Sequence, residues 1–157
     1  MQSNSSIFDG ILQNNWWDRS WSAGVKWSAG SFGVSGGMAL CANLYSGGAL
    51  SVGHAKGFFQ GANILQFRIK TDQGTPNVAI NIGSGQQGCQ PQQLTALSSA
   101  ADQQGWSLYS LNLGQFGTPA ATFSGCGGLQ AWDLEWVEFK DLAYAQQTIC
   151  LDLIKLV

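Results

Sequence analysis

Polar side chains alternate with apolar ones along several short segments in the middle and late parts of the chain. In each segment the apolar residues predict one buried face of a β-strand, so the polar residues between them must lie on the other face. Amides and charged groups bind sugar hydroxyls, and an indole ring stacks on the C–H face of a sugar. If these strands share one sheet, its outer face is a groove that could bind a glycan through Gln66, Arg68, Lys70, Asn81, Asn112, Trp136 and Glu138.

Trp136 is the predicted stacking platform of this groove. Val137 and Phe139 take the core side of the same strand, so the indole must point outward. A bare indole in water costs free energy, and a bound ligand would cover it. An ordinary solvated sheet face is one alternative. The other is a site at the loop rim, which carries Trp16, Trp17 and Trp132.

The last predicted strand, residues 148 to 156, contains one carboxylate. Asp152 stands in an apolar, β-branched run, on the same face as Ile154 and Leu156. An unpaired charge is costly there and is usually neutralised or paired. Asp152 is therefore either a metal ligand or a half-exposed edge carboxylate that is hydrogen-bonded to a loop.

The sequence contains no convincing pair of catalytic carboxylates. A glycosidase needs two carboxylates about 5 to 10 Å apart across a cleft. Glu135 and Glu138 lie on opposite faces of one predicted strand, and His54 stands in a loop without a visible partner. We therefore predict a binding protein without catalytic residues. The alternatives are a jelly-roll polysaccharide lyase or glycoside hydrolase domain, and an extracellular matrix or adhesion domain.

These side chains must be positioned by strands. About nine short segments alternate or are densely β-branched, turn residues separate them, and no long 3.6-residue period occurs. The pattern predicts an all-β fold, an antiparallel β-sandwich of jelly-roll type, as a single domain over residues 1–157. Residues 46 to 48 predict a hairpin turn. Trp21 and Trp27 are in phase with Val25 and are expected in the core.

The chain has four cysteines, and they share no C-x-x-C spacing, which argues against a zinc site or a thioredoxin-like motif. Cys41 and Cys150 lie in predicted strands, whereas Cys89 and Cys126 lie in glycine-rich loops. Pairing like with like gives Cys41–Cys150 and Cys89–Cys126, although spacing alone leaves three connectivities open. Disulfides are typical of secreted proteins.

The composition excludes two kinds of partner. Charged residues make up only 10% of the chain and the net charge is −2, so the basic patch that nucleic acid requires is missing. No run reaches the roughly 18 to 20 apolar residues that span a bilayer, which argues against a membrane partner. The N-terminus has no signal-peptide pattern, so we expect a mature or trimmed module.

Several short motifs follow one another in an order that is familiar along the whole chain. They are Phe8-Asp9, Trp16, Ser20-Trp21, Gly-Gly-Ala-Leu-Ser51, Trp106, Tyr109-Ser-Leu-Asn-Leu113, Trp136-Val-Glu-Phe-Lys-Asp141 and Ile149-Cys-Leu-Asp-Leu-Ile-Lys-Leu156. By these motifs the chain resembles the galactose-binding-like jelly-roll carbohydrate-binding modules that accompany secreted polysaccharide-degrading enzymes.

The resemblance implies non-catalytic binding of a plant or algal cell-wall type polysaccharide. It also implies a secreted, extracellular or cell-wall location, and a monomer that is tethered to a catalytic domain. Many such modules hold a structural calcium ion with an aspartate of the last strand and an acidic residue near the N-terminus, here Asp152 and Asp9. The family often has two adjacent aspartates in the last strand, and the second position is Leu153 in this chain.

Overall fold

A computed structural model describes residues 5–117 and 123–157. The described chain forms twelve strands of one curled antiparallel sheet. They are β1 (Ser6–Phe8), β2 (Trp17–Asp18), β3 (Trp21–Gly30), β4 (Ala39–Gly53), β5 (Ile64–Lys70), β6 (Val78–Ser84), β7 (Gln87–Gly88), β8 (Gln92–Gln93), β9 (Ala100–Ala101), β10 (Trp106–Asn112), β11 (Trp136–Asp141) and β12 (Gln147–Leu156). The 3-10 helices are Val34–Gly36, Leu94–Ala96, Leu113–Phe116 and Ala131–Asp133.

The predicted all-β antiparallel sandwich is confirmed, with more strands than the sequence indicates. β2, β7, β8 and β9 have two residues each, which is too short for an alternating pattern to be recognised. In the described residues no helix has the length and apolar composition needed to cross a membrane.

The curled sheet folds into two layers that share the long strand β4. The layer called here the front sheet contains β2, Trp21 at the start of β3, the second half of β4, β11, β6, β7 and β8. The back sheet contains the rest of β3, the first half of β4, β12, β5, β10 and β9. β1 pairs with the end of β12.

The bend in β4 replaces the hairpin predicted at residues 46 to 48. Ser46 and Gly47 have left-handed backbone conformations, with φ angles of 55° and 73°. Together they kink one continuous strand, and the chain does not reverse. Before the kink β4 pairs with β12, and after it with β11. Asp141 holds the kink by accepting a hydrogen bond from the Gly47 N–H at 3.1 Å.

The core lies between the two layers. Phe67 of β5 and Phe139 of β11 meet edge to face across it, with ring centroids 5.0 Å apart. Phe67 also stacks on Tyr109 of β10 at 5.5 Å. Such aromatic pairs contribute roughly 0.5–1.5 kcal/mol beyond their buried area. Because β5 and β11 face each other across the core, their outward side chains point away from each other.

Of the two β3 tryptophans that were expected in the core, Trp27 packs there and Trp21 does not. Trp27 packs against the core and lies 6.3 Å from Phe8 by ring centroids, as expected. Trp21, however, is 41% exposed. Ser22 has a φ angle of 46°, and the register between β3 and β4 shifts between Trp21 and Ala23. This bulge reverses the side-chain phase, so that Trp21 points outward from the front sheet while Val25 and Trp27 stay on the inner side.

Both predicted disulfides are present. Cys41 and Cys150 are directly opposite each other in the register of β4 and β12. Cys89 and Cys126 join the segment after β7 to the glycine-rich loop near residue 126, with Cα atoms 5.5 Å apart. The first disulfide therefore fastens two strands of the back sheet, and the second fastens loops beside the front sheet.

Candidate functional site

The predicted groove residues divide between two opposite faces of the sandwich. Asn81, Trp136 and Glu138 share the outer face of the front sheet, here the front face. The others lie on the outer face of the back sheet, here the back face, and are Gln66, Arg68, Lys70 and Asn112. The prediction of one groove formed by all seven is wrong, because β4 and β12 separate β5 and β10 from β6 and β11 in the curled sheet. A binding role for either group remains a prediction.

Polar side chains of the back face pair with one another or with nearby loops. Gln66 Nε2 donates to Ser110 Oγ at 3.0 Å. Arg68 Nε donates to Asp102 Oδ2 at 2.9 Å, and Lys70 Nζ to Asp72 Oδ2 at 3.0 Å. These contacts use hydrogen-bonding groups that a ligand would otherwise have to satisfy.

Trp136 points outward, as its parity predicts, but it is only 5% exposed. Its indole N–H donates to the Gly85 carbonyl at 2.9 Å, and the Arg19 guanidinium carbon lies 4.8 Å from the ring centroid. A Cβ atom at Gly83 or Gly88 would collide with the ring or come within 3.3 Å of it. The stacking-platform prediction is therefore wrong, because the chain itself covers this indole and leaves no face for a sugar.

A groove of about 410 Å³ lies beside Trp136 on the front face. One row of register partners crosses the sheet here: Trp21, Ala49, Lys140, Ala79 and Gln93. All of them except the buried Ala49 line the groove, and the small side chain of Ala79 keeps its floor low between Lys140 and Gln93. The next row contains Ser51, Glu138 and Asn81, and of these Glu138 and Asn81 also line the groove.

Trp21 forms one end of the groove and supplies an exposed indole. Its ring lies 6.0 Å from the Arg19 guanidinium carbon, which also covers Trp136. Trp21 cannot be recognised as an outward residue from the sequence, because the bulge at Ser22 has no signature in residue type. Lys140 could have been found, since it has the same strand parity as Glu138, whereas Gln93 belongs to a strand of two residues.

Glu138 is a carboxylate buried in the floor of the groove. Burial raises its pKa above the ordinary glutamate value, while the positive charges of Arg19 and Lys140 oppose the shift. Within residues 5–117 and 123–157, no hydrogen bond and no ion pair shorter than 4.0 Å satisfies this carboxylate. Because Glu138 lines the groove, water or a ligand hydroxyl group can donate to its carboxylate.

Asn81 stands beside Glu138 with its amide held in one orientation. Its Oδ1 accepts from the Ile82 N–H at 2.9 Å, and its Nδ2 donates to the Cys89 carbonyl at 3.1 Å. An amide nitrogen carries two hydrogens, so one donor is left for a ligand. Asn81 is thus a preorganised donor at the wall of the groove.

The tryptophans of the loop rim have different surroundings. Trp16 is buried against Phe58 and His54. Trp17 is 48% exposed and stacks on His54. Trp132 is 54% exposed and lies against Gly57. The rim therefore has two exposed indoles, but neither lines the groove that contains Glu138.

Asp152 is buried in β12 and is hydrogen-bonded to a loop, so it is not the half-exposed carboxylate of the alternative prediction. It accepts from the N–H groups of Val34 at 2.9 Å and Leu153 at 2.8 Å. Burial raises its pKa, and although both N–H groups oppose this shift, the negative charge of Asp9 adds to it.

A cation would relieve the repulsion between Asp9 and Asp152, so their chemistry fits a hard metal ion. Calcium takes six to eight oxygen ligands. The described residues contain no cluster of three or more His, Cys, Asp or Glu side chains that could hold a metal. Backbone carbonyls and water would have to complete the shell of a calcium ion at these two carboxylates.

No family model matches the sequence, and none of the curated proteins is similar to it. Solved structures do share its fold. A mutant of the family 29 carbohydrate-binding module CBM29-2, complexed with mannohexaose, superposes with a TM-score of 0.60 at 15% identity, over 96% of this chain and 87% of that chain. The family 11 module from Clostridium thermocellum, in complex with a β-1,3-1,4-mixed-linked tetrasaccharide, gives 0.58 at 14% identity, over 98% and 94%.

This chain has the fold of the β-sandwich carbohydrate-binding modules. The resemblance stated from the sequence motifs is thereby confirmed at the level of the fold. A β-1,2-glucanase from Parabacteroides distasonis also matches, with a TM-score of 0.65 at 17% identity, but the match covers 100% of this chain and only 25% of the enzyme.

Proposed function

We propose that the chain is a non-catalytic module that binds a neutral polysaccharide in the front-face groove, with Trp21 as the stacking platform. One observation carries the proposal. An exposed indole ends a groove whose floor contains Glu138, a carboxylate that faces the groove and accepts no hydrogen bond from the described residues. A sugar has an apolar ring face, which can cover the Trp21 indole, and hydroxyl groups, which can donate a hydrogen bond to Glu138.

The floor of the groove suits a flat chain of sugar rings. Ala79 leaves room between Lys140 and Gln93, and Trp21 lies further along the same row, so a chain can lie across the strands. Neighbouring strands are about 4.8 Å apart, which brings a new side chain within reach of each successive part of the ligand. Lys140 and Asn81 then donate hydrogen bonds, and Glu138 accepts one.

The charge of the groove favours a neutral glycan. Glu138 is flanked by Arg19 and Lys140, which offset its charge locally. An anionic sugar would approach a largely buried carboxylate, at a cost in repulsion. The carbohydrates in the two module complexes described above, mannohexaose and a mixed-linked tetrasaccharide, support this ligand class.

The proposal extends to the location of the protein and to its association with an enzyme. The two disulfides fit an oxidising compartment and support a secreted protein, in the extracellular space or the cell wall. It acts as a monomer that is tethered to a catalytic domain and holds that domain near its polysaccharide.

Affinity electrophoresis tests the groove. The gels should contain hydroxyethyl cellulose, xylan, mannan, mixed-linked β-glucan or a uronate polymer. We expect retardation by at least one neutral polymer and at least tenfold weaker binding by Trp21→Ala, a loss of about 1.4 kcal/mol. Trp132→Ala is the matched control, since it removes an indole that lies outside the groove and is 54% exposed, against 41% for Trp21. If Trp132→Ala or Trp17→Ala abolishes retardation while Trp21→Ala does not, the site lies at the loop rim.

Product assays and sedimentation test the other functions. Glu138 is the single carboxylate that lines the described groove, whereas hydrolysis by a glycosidase uses two. We expect neither new reducing ends nor unsaturated products from any of the polymers. Concentration-dependent self-association without glycan retention would instead support a matrix or adhesion domain.

A calcium ion at Asp9 and Asp152 would have a structural role, on the opposite side of the sandwich from the groove. We expect excess calcium to raise the Tm and a chelator to lower it. Asp9→Asn should greatly weaken this response, because it removes one of the two negative charges that would attract the ion. Equal Tm values of the wild type in calcium and in chelator would contradict the calcium site and leave the groove proposal untouched.

A further inference from the structure

A second cavity, of about 570 Å³, lies at the end of the back face. It opens between the loop after β3 and the loop before β10, and its walls include Phe32, Lys70, Gln104 and Trp106. Its volume falls within the roughly 300–1,000 Å³ of small-molecule sites. The core separates this cavity from the front-face groove, because Lys70 lies on β5 and Trp21 on the opposite layer.

Two aromatic rings are stacked in the wall of the cavity. Phe32 lies over Trp106 with centroids 6.5 Å apart and ring planes only 18° from parallel. The Trp106 indole N–H donates to the Phe32 carbonyl at 3.2 Å. Trp106 is buried by this arrangement, whereas Phe32 remains 41% exposed. The Phe32 ring, here called the platform, therefore lies against Trp106 on one side and presents an apolar surface to solvent on the other.

The loop that carries Phe32 is held by hydrogen bonds close to the platform. The Val34 N–H donates to the buried carboxylate of Asp152 at 2.9 Å, and the Gly33 N–H donates to the Gly37 carbonyl at 2.8 Å. A Cβ atom at Gly33 would come within 2.5 Å of the Asp152 carboxylate and 2.6 Å of the Gly37 carbonyl, so the loop approaches β12 only because this residue is glycine. The platform is thus preorganised, which lowers the entropic cost of binding.

Polar groups face the platform from the other side of the cavity. The Lys70 ammonium lies 5.7 Å from the Trp106 ring centroid and donates to Asp72 at 3.0 Å. An ammonium has three donors, so further hydrogens are available to a ligand. The exposed Gln104 amide adds a donor and an acceptor. Asp72 offsets the charge of Lys70, so the cavity favours a neutral ligand with several hydroxyl groups.

We propose that this cavity is a second carbohydrate site, which takes one or two neutral sugar rings on Phe32. The inference rests on the proposed function only for its ligand class. Because the two sites are on opposite faces, one module can contact two glycan chains, or two parts of one chain.

Titration of ¹⁵N-labelled protein with cellobiose and with mannobiose tests the second site. We expect at least one disaccharide to shift the Trp106 indole N–H signal and the backbone amides of residues 31–37. Phe32→Leu should weaken this binding at least tenfold, because it removes the ring but keeps an apolar cover over Trp106. Phe32→Tyr, which restores the ring, should recover it.

Trp21→Ala separates the two proposals. In that variant the shifts near Phe32 should persist, while any shifts near Asn81 and Glu138 should disappear. Shifts near Phe32 without any near Glu138 in the wild type would support the second site and contradict the front-face groove. The second site is refuted if neither disaccharide shifts the Trp106 signal, or if Phe32→Leu binds as well as the wild type.

Discussion

The front and back faces of the sandwich have similar polar side chains but use them differently. On the back face, Gln66 pairs with Ser110 and Arg68 with Asp102. On the front face, Glu138 is buried without such a partner in the described chain, and Asn81 is oriented with a donor to spare. Polarity alone therefore does not mark a binding face. The distinguishing feature is whether the protein satisfies its own hydrogen-bonding groups.

Two tryptophans of the front face show the same contrast. Trp136 and Trp21 both point outward, yet Trp136 is covered by Arg19 and by the glycines of neighbouring strands, whereas Trp21 is open. Trp136 thus contributes to stability and Trp21 to a surface that a ligand could cover.

The disulfides should give the largest effects. In the chain-entropy model, a link across 109 residues contributes about 4.8 kcal/mol and one across 37 residues about 3.8 kcal/mol. Replacing Cys41 and Cys150 by alanine should therefore lower the free energy of unfolding about 1 kcal/mol more than replacing Cys89 and Cys126. Urea denaturation measures both values.

For glycan binding, loss of the Cys89–Cys126 disulfide should have a larger effect than loss of the Cys41–Cys150 disulfide. The Cys89 carbonyl accepts the hydrogen bond that orients Asn81, so the Cys89/Cys126 double variant should bind several-fold more weakly. The Cys41/Cys150 variant should bind as the wild type does at a temperature where it is folded. Equal binding by both variants would show that the second disulfide does not support the groove.

Trp136→Ala should destabilise the fold by about 3 to 5 kcal/mol, as expected for a buried tryptophan. Arg19 and the Gly85 carbonyl would lose their partner as well. Trp21→Ala, at an exposed position, should change the free energy of unfolding by less than about 1 kcal/mol. A Trp136→Ala variant with wild-type stability and no glycan binding would restore Trp136 as the platform.

Polar substitutions on the two faces should differ in their effect on the groove. Asn81→Ala and Glu138→Gln should each weaken glycan binding by about tenfold, near 1.4 kcal/mol. Gln66→Ala and Asn112→Ala on the back face are the matched controls and should leave binding unchanged. Because Glu138 acts as an acceptor with a raised pKa, binding should also weaken as the pH falls through that pKa. Isothermal titration at several pH values measures both effects.

The smallest effects on stability are expected from two buried carboxylates, Asp141 on the front sheet and Asp152 on the back sheet. At the end of β11, Asp141 accepts from Gln147 Nε2 at 2.6 Å and from the Ala143 and Gly47 N–H groups. Burial raises the Asp141 pKa, but these donors outweigh burial and hold it below the ordinary value. For Asp152, burial prevails and the pKa lies above the ordinary value.

The two pKa shifts make the free energy of unfolding depend on pH in opposite directions. The Asp141 contribution is present above its unfolded-state pKa and is lost as the pH falls through its lowered folded-state pKa. The Asp152 contribution is complete below the unfolded-state pKa and is lost as the pH rises through the raised folded-state pKa. Asp141→Asn should flatten the loss of stability in acid. In chelator at neutral pH, Asp9→Asn should stabilise the protein, and an unchanged stability would refute repulsion between Asp9 and Asp152.

Much of the fold could be predicted from local patterns. Alternation along segments such as residues 64 to 70 identified the longer strands, because side chains of a strand point to opposite faces in turn. Strand and loop context also gave the correct cysteine pairs. The two-residue strands and the kink at Ser46 and Gly47 were missed, since neither has a period that a sequence can display.

By itself the sequence determined which side chains of a strand point away from the core, and Asn81, Trp136 and Glu138 do so. Only the tertiary structure decided that β5 and β11 lie in opposite layers, that Arg19 covers Trp136, and that a bulge turns Trp21 outward. The reason is physical. Alternation is a property of the local backbone, whereas neighbours and cover come from residues far away in the chain, whose positions depend on how the whole sheet curls.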